Sequence, residues 1–316
     1  MQKKRLLSGI QPSGRLHIGN YFGALKQFVD LQDEYECFVM IADYHALHTV
    51  KNAKEMKESV LNIAIDYLAV GLDPKKVTIF QQSQVSEHTE LAWIFDTITT
   101  MPYLMRAHAF KDAEAKNKDI TVGTFNYPML MSADILLYDP EVVPVGQDQK
   151  QHIEIARDTA LKFNNTYKEI FVQPKELILD TVAIVPGVDG RKMSKSYNNT
   201  IPLFGTRDEI EKAVMSIVTD SGGDVPTNVY EIHKLFRSAS ELEVIYSENK
   251  GKYKALKDIL VEDIDAFIKP MREKRQELEK NKDFVISIIN EGSKRAKEIA
   301  SQKMSQIRDA VGVKLD

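Results

Sequence analysis

The first half of the sequence alternates short β-rich runs with longer stretches of helical periodicity. In chain order, the strand-like and helix-like stretches that we assign cover residues 5–10, 19–31, 37–42, 54–70, 77–82, 87–119, 129–137, 142–146, 149–163 and 181–185. Such alternation is typical of parallel strands joined by crossover helices. The sequence therefore predicts an α/β fold built on a doubly wound parallel sheet.

Strand patterns disappear after Gly205, and the remaining chain reads as helix after helix. We expect these helices to be separated where breaking residues occur, at 221–223, 270 and 291–292. In the last stretch one face is largely apolar and the other carries Lys and Arg, as in an amphipathic helix. We predict an α/β domain over 1–205, with a helical insertion at about 87–140, and a separate helical domain over 206–316.

Composition narrows the class of protein. The 316 residues are 43% hydrophobic, with a formal net charge of -4. No apolar run approaches the roughly 20 residues of a membrane span, and the N-terminus lacks the apolar segment of a signal peptide. The single cysteine, Cys37, cannot form an internal disulfide. We expect a cytoplasmic globular protein with no membrane segment. The charge argues against a nonspecific nucleic-acid binder but permits an RNA partner at local basic patches.

A first motif, PSGRLHIGN at 12–20, follows the first predicted strand. In open α/β sheets, ligands bind at the carboxyl ends of strands, where helix N-termini present N–H groups to anions. Gly19 would let a ligand lie against the backbone, and His17 would donate a hydrogen bond to a phosphate. Taken alone, the motif is equally consistent with a plain turn and a surface histidine.

A second motif, KMSKS at 192–196, follows a glycine-containing loop. Two ammonium groups that close on a triphosphate stabilise the transition state most, because charge moves toward the leaving pyrophosphate. A solvated basic loop is the ordinary alternative for such a cluster. Together the two motifs predict two loops that close on one polyphosphate, and hence an enzyme that uses ATP.

The two motifs resemble the His-Ile-Gly-His and Lys-Met-Ser-Lys-Ser signatures of class I aminoacyl-tRNA synthetases, with Asn20 at the last position of the first. Segments 127–136 and 143–152 resemble the amino-acid and adenosine segments of the bacterial tryptophanyl-tRNA synthetases. The resemblance covers nearly the whole chain. It implies a Rossmann-like catalytic domain, a helical anticodon-binding domain and a tryptophan–tRNA ligase that forms tryptophanyl-adenylate from ATP and then charges tRNA(Trp).

The predicted selectivity depends on two residues one helical turn apart, Met131 and Asp134, which share a helix face. A carboxylate accepts the indole N–H, while a thioether packs against the ring. An amino acid without that donor would leave Asp134 unpaired, at a cost of roughly 1–3 kcal/mol. Tyrosyl enzymes resemble this helix but typically carry glutamine where Met131 stands. The pair predicts a tryptophan pocket that needs no editing domain.

The resemblance implies roles for further residues. The expected catalytic residues are His17, Lys192 and Lys195. The expected ATP-binding residues are Gln11, Pro12, Ser13, Gly19, Asn20, Gly146, Gln147, Asp148, Ile184, Lys192, Met193, Ser194, Lys195 and Ser196. The expected tryptophan-binding residues are Leu7, Gly9, His45, Tyr127, Met131, Asp134, Val143, Val145 and Gln149. A structural hydrogen bond is an equal alternative for His45, and core packing is the simpler explanation for Leu7, Val143 and Val145.

Expected partners follow from the same resemblance: ATP, with Mg²⁺ held mainly by its phosphates, L-tryptophan, tRNA(Trp) and a second copy of the chain. Basic stretches at 272–280 and 294–303 are candidates for phosphate contact with tRNA.

Many relatives carry a second lysine where this chain has Ala113. Either Lys111 or Lys116 substitutes for it, or Lys192 and Lys195 hold the triphosphate alone.

Three other functions stay open on sequence alone. A tyrosyl-tRNA synthetase is opposed by Met131 and by segment 143–152. A nucleotidylyltransferase would explain the first motif but not the lysine motif or the helical domain. A synthetase-derived regulator that binds tryptophan without charging tRNA is opposed by the intact His17 and Lys195.

Overall fold

One parallel sheet organises the protein. The computed structural model describes residues 3–115, 119–144, 150–177, 185–219 and 225–315. Within these residues the sheet has five strands in the order β3-β2-β1-β4-β5, with bounds β1 Arg5–Ile10, β2 Glu36–Ile41, β3 Val77–Gln81, β4 Val142–Pro144 and β5 Lys175–Leu177. The strand order reverses between β1 and β4. Leu6 of β1 pairs with β2 on one side and with β4 on the other. In doubly wound sheets the ligand crevice lies at such a reversal.

The helices of the described residues are α1 Ile18–Asn20, α2 Lys26–Leu31, α3 Asp43–Ala46, α4 Ala53–Ala69, α5 Glu87–Ile98, α6 Met101–Leu104, α7 His108–Ala115, α8 Val122–Leu136, α9 Lys150–Thr166, α10 Arg207–Met215, α11 Thr227–His233, α12 Ala239–Glu248, α13 Tyr253–Glu279 and α14 Lys282–Val311. A π turn, Tyr21–Leu25, joins α1 to α2. Short 3₁₀ turns occur at Gln82–Gln84 and Lys195–Tyr197. No helix in these parts of the chain is long and apolar enough to cross a bilayer.

The fold class predicted from sequence is confirmed. Strand β1 has the predicted bounds, and β2, β3 and the start of β4 agree to within a residue. Strand β5 was not predicted, because Lys-Glu-Leu shows neither alternation nor an apolar run. The strand predicted at 181–185 lies outside the described residues except for Val185.

The helix breaks predicted at residues 270 and 291–292 are wrong. Pro270 lies inside α13 and Gly292 inside α14, and both helices continue through them. A proline inside a helix removes a hydrogen bond and costs about 3 kcal/mol. Tertiary packing offsets that cost, because α13 buries Leu260, Ile264 and Ile268 before the proline.

Gly292 has a packing role. A Cβ atom at this position would lie 1.9 Å from the carbonyl oxygen of Ile79. The glycine lets α14 lie directly on β3, where the Ser293 hydroxyl oxygen accepts a 3.1 Å hydrogen bond from the N–H of Gln81. Helix α14 thereby covers the edge of the sheet, which would otherwise expose unpaired backbone groups.

Two hydrophobic clusters lie on opposite faces of the sheet. Alternate residues of β2 divide between them, with Val39 in one cluster and Phe38 in the other. Helix α14 contributes Ile289 to the first cluster and Ala300 to the second. The C-terminal helices thus share core with the sheet, and the division at residue 205 stays a prediction.

Candidate active site

The two sequence motifs lie side by side. The N–H of Ile18 donates to the carbonyl of Ile201 at 3.0 Å, and the N–H of Leu203 donates to Leu16 at 3.0 Å. The chain that leaves the lysine motif is therefore hydrogen-bonded to both sides of His17. Although about 180 residues separate the motifs in sequence, backbone bonds set the distance between them.

His17 lies at the start of α1 and is 6% exposed. Its N–H donates to Oδ1 of Asn20 at 3.1 Å. A Cβ atom on Gly19 would lie 2.9 Å from the His17 ring and 3.2 Å from Cβ of Met193, so a larger residue would push the motifs apart. Burial, with a smaller effect of the Lys195 charge, lowers the pKa of His17 to about 4. His17 is therefore neutral at pH 7.

Lys195 reaches across to the first motif. Its Nζ donates to the carbonyl of Ser13 and, at 3.1 Å, to that of Gly14. Burial lowers the pKa of Lys195 below its ordinary value. The ammonium group therefore lies against the loop that follows β1.

Asn199 holds the lysine motif in shape and was missed from the sequence. It is 1% exposed. Its Nδ2 donates to Asp189 at 2.7 Å and to the carbonyl of Lys192 at 3.2 Å, and its Oδ1 accepts from the N–H of Ser194 at 2.8 Å. A Cβ atom on Gly187 would lie 2.2 Å from this amide. Nothing in the polar run around Asn199 singled it out.

Asp134, the predicted acceptor of the indole N–H, is surrounded by hydrogen-bond donors. It lies on α8 and is 1% exposed. His45 and Gln82 each donate to it at 2.7 Å, and His88 donates at 2.6 Å. Burial alone would raise the pKa of Asp134, but the bonds from His45 and His88 outweigh it and hold the pKa well below its ordinary value. The carboxylate is therefore ionised, and both of its oxygens are acceptors only.

The other helix residues predicted for the pocket lie close to Asp134. The Tyr127 hydroxyl donates to the Met131 sulfur at 3.6 Å. The Tyr127 ring packs edge-on against His45, with centroids 4.8 Å apart. The structural hydrogen bond, one of the two alternatives for His45, is therefore present, and its role in a tryptophan pocket stays a prediction.

The structure also describes where the remaining predicted residues lie. Leu7 and Val143 are buried, consistent with core packing. Gly9 is required by the sheet, because a Cβ atom would lie 2.6 Å from the carbonyl oxygen of Met40. Gln11, Pro12 and Ser13 form the loop after β1. The Ser196 hydroxyl lies 2.9 Å from that of Ser194. Lys111 is exposed on α7.

Several predicted residues lie outside the described residues: Lys116, Val145, Gly146, Gln147, Asp148, Gln149 and Ile184.

Two residues that bond Asp134, Gln82 and His88, were not predicted from the sequence. A signal was available for His88, which lies three residues after Val85 and three before Leu91, at the spacing of a buried helix face.

Comparison with known proteins shows which family the chain belongs to. Residues 1–285 match the family described as tRNA synthetases class I (W and Y). The chain is 52% identical to the tryptophan–tRNA ligase of Fusobacterium nucleatum over 98% of both proteins. It is 47% identical to that of Rhodopirellula baltica, over 98% of this chain and 100% of the relative.

Among solved structures, tryptophanyl-tRNA synthetase from Campylobacter jejuni complexed with ADP and tryptophan superposes with a TM-score of 0.90. The identity is 43%, over 98% of this chain and 99% of that one. This chain therefore belongs to the class I tRNA synthetases for tryptophan and tyrosine. The relatives and the structure named above are all enzymes of the tryptophan branch.

Proposed function

We propose the following reaction for this chain, which acts as an ATP-dependent tryptophan–tRNA ligase. The ionised carboxylate of tryptophan attacks the α-phosphorus of ATP, the bond to the β-phosphate oxygen breaks, and tryptophanyl-adenylate and pyrophosphate form. A ribose hydroxyl of the 3′-terminal adenosine of tRNA(Trp) then attacks the adenylate carbonyl, and AMP leaves. The attacking carboxylate needs no general base.

The observation that carries this proposal is the buried, ionised Asp134 beside Met131 and Tyr127. A carboxylate in this setting selects a ligand with a matching N–H donor, because other ligands would leave an acceptor position of the buried charge unfilled. The indole N–H of tryptophan meets the requirement while its ring fills the apolar side. The phenol hydroxyl of tyrosine lies differently on its ring and would not reach the same oxygen.

Charge neutralisation supplies the catalysis on the phosphate side. Lys195 and Lys192 would follow the charge that develops on pyrophosphate, and His17, neutral at pH 7, would donate a hydrogen bond to a phosphate oxygen. The donors at this end are ammonium, imidazole, amide and hydroxyl groups, which suits Mg²⁺ carried by the phosphates more than Mg²⁺ held by protein carboxylates. When bound there, Mg²⁺ adds further neutralisation of the triphosphate charge.

By resemblance, the residues outside the described ranges complete the site. Gly146, Gln147 and Asp148 would face adenosine, Asp148 as acceptor for ribose hydroxyls. Ile184 would pack on the nucleotide, Val145 would border the indole, and Gln149 would join Tyr127 at the substrate ammonium. The basic stretches 272–280 and 294–303 are proposed to contact tRNA, and we propose that the enzyme acts in the cytoplasm.

We also propose a homodimer. Large apolar side chains are exposed on the neighbouring helices α5 and α6, where Trp93 is 70% exposed and Met101 is 67% exposed. Exposed apolar groups of this size commonly mark protein interfaces. Sedimentation velocity should give twice the chain mass, and Trp93→Glu should shift it toward the monomer; a monomeric wild type would refute the proposal.

The proposed reaction is tested by amino-acid-dependent exchange of pyrophosphate into ATP. Tryptophan should drive exchange, and tyrosine at the same concentration should not. Exchange driven by tyrosine alone would overturn the pocket assignment. Absence of exchange with either amino acid, in a protein that still binds tryptophan, would favour the regulator that does not charge tRNA.

A further inference from the structure

The lone pairs of Asp134 are unequally used. A carboxylate offers two acceptor positions on each oxygen. Oδ1 accepts from Gln82 at 2.7 Å and from His88 at 2.6 Å, whereas among the described residues Oδ2 accepts from His45 alone, at 2.7 Å. Because His45 also packs against Tyr127, Oδ2 is the oxygen on the side of the proposed pocket. The position left for an indole N–H is therefore on Oδ2.

His88 holds the opposite oxygen from a fully enclosed position. It is 0% exposed on α5, and its ring stacks on Phe80 with centroids 6.1 Å apart. Its Nδ1 faces Asp134, and its Nε2 lies 2.8 Å from the Tyr138 hydroxyl. Since an ionised carboxylate only accepts, Nδ1 must carry a proton. In a neutral ring Nε2 then accepts, and Tyr138 donates to it.

Tyr138 can donate this hydrogen bond to His88 at any working pH. Burial raises the pKa of Tyr138 well above its ordinary value, so the phenol stays protonated. Its hydroxyl proton therefore fixes the His88 tautomer with Nδ1–H toward Asp134. Second partners of this kind commonly set the tautomer and orientation of a histidine.

We propose that His88, with its tautomer fixed by Tyr138, is a positioning residue for tryptophan selection. It saturates Oδ1 of Asp134 and so turns the free position of Oδ2 toward the substrate indole N–H. His88 does not touch the substrate and acts through Asp134. This inference rests on the proposed role of Asp134 as the acceptor of that N–H.

The test compares tryptophan with benzothienylalanine, a near-isostere whose sulfur replaces the indole N–H, in pyrophosphate exchange. His88→Leu removes the donor to Oδ1. His88→Asn is the matched variant, because an asparagine amide can place a donor close to the position of Nδ1. For His88→Leu we expect kcat/KM with tryptophan to fall on the order of 10–100-fold, the range of a hydrogen bond to a charged group.

The decisive readout is the ratio of kcat/KM for the two substrates. With benzothienylalanine, His88→Leu should change kcat/KM by less than about 3-fold, so the ratio should collapse, and His88→Asn should restore most of it. An equal loss with both substrates, or no rescue by asparagine, would indicate a merely structural histidine and overturn the proposal. If His88→Leu does not fold, Tyr138→Phe decides, because an unchanged ratio there would equally overturn it.

Asp134→Asn separates the two levels of inference. It keeps the shape of the side chain and removes the acceptor charge, so it should collapse the ratio whatever His88 does. If Asp134→Asn leaves the ratio intact, the proposed pocket itself fails. If Asp134→Asn collapses the ratio and His88→Leu does not, only the role of His88 fails.

Discussion

The two ends of the site are built in opposite ways. At the proposed amino-acid end, Asp134 is buried and three side chains already donate to it. At the proposed phosphate end, Lys192 is exposed. The hydrogen bonds described for the Nζ of Lys195 go to backbone carbonyls of the facing loop. Selection of an amino acid requires a fixed acceptor, because an adaptable one would accept analogues. Stabilisation of a migrating charge requires cations that can follow it.

Loss of Lys195 should have the largest effect at the phosphate end. We expect Lys195→Ala to lower kcat for pyrophosphate exchange by about 10²–10³-fold, because a cation aimed at developing charge is removed. The KM for tryptophan should change little, since the amino-acid end keeps its own bonds. A loss confined to the tryptophan KM would mean that the two ends are not separate.

Loss of Asn199 should have an intermediate effect, through position and not through charge. Asn199→Ala removes the bonds that shape the lysine motif, and we expect exchange to slow by about 10–100-fold. Asn198→Gly is the matched control. Asn198 is the neighbour of Asn199, is exposed and has a positive φ of 53°, which glycine adopts freely. If the control slows exchange as much as Asn199→Ala, the buried amide is not what orders the loop.

The smallest effect is expected for pH. Burial and Lys195 lower the pKa of His17 to about 4, below its ordinary 6.5, so the free enzyme has a neutral His17 throughout pH 5–8. The charged form is populated only as pH falls toward 4. The pH profile of kcat/KM, which reports the free enzyme, should have the same shape for wild type and His17→Asn over this range. An inflection near pH 6.5 that the variant lacks would contradict the assigned ionisation state.

Sequence patterns predicted most of the elements that the sheet requires. Strand β1 and helix α4 follow from local periodicity, and turn residues mark their ends. The pattern failed at β5, a strand of three residues in which pairing with β4 decides the conformation. It also failed at Pro270 and Gly292, because local propensity signals a break where packing against neighbouring helices or the sheet keeps the helices continuous.

The same division holds within the site. His17, Lys195, Met131 and Asp134 could be identified from sequence, since each lies in a motif or at a helical spacing that has chemical meaning. Gln82 and Asn199 could not, and the spacing of His88 indicates only a buried helix face, because their roles depend on partners more than 45 residues away or on a loop that folds back on itself.

The sequence by itself determined the order of strands and helices, the two phosphate motifs and the pairing of a thioether with a carboxylate on one helix face. These are local properties, set by backbone sterics, side-chain period and residue chemistry. Only the tertiary structure decided that the two motifs are joined by backbone bonds and that His45, Gln82 and His88 meet at Asp134. Those features depend on which distant groups share a buried space, where every donor must find an acceptor.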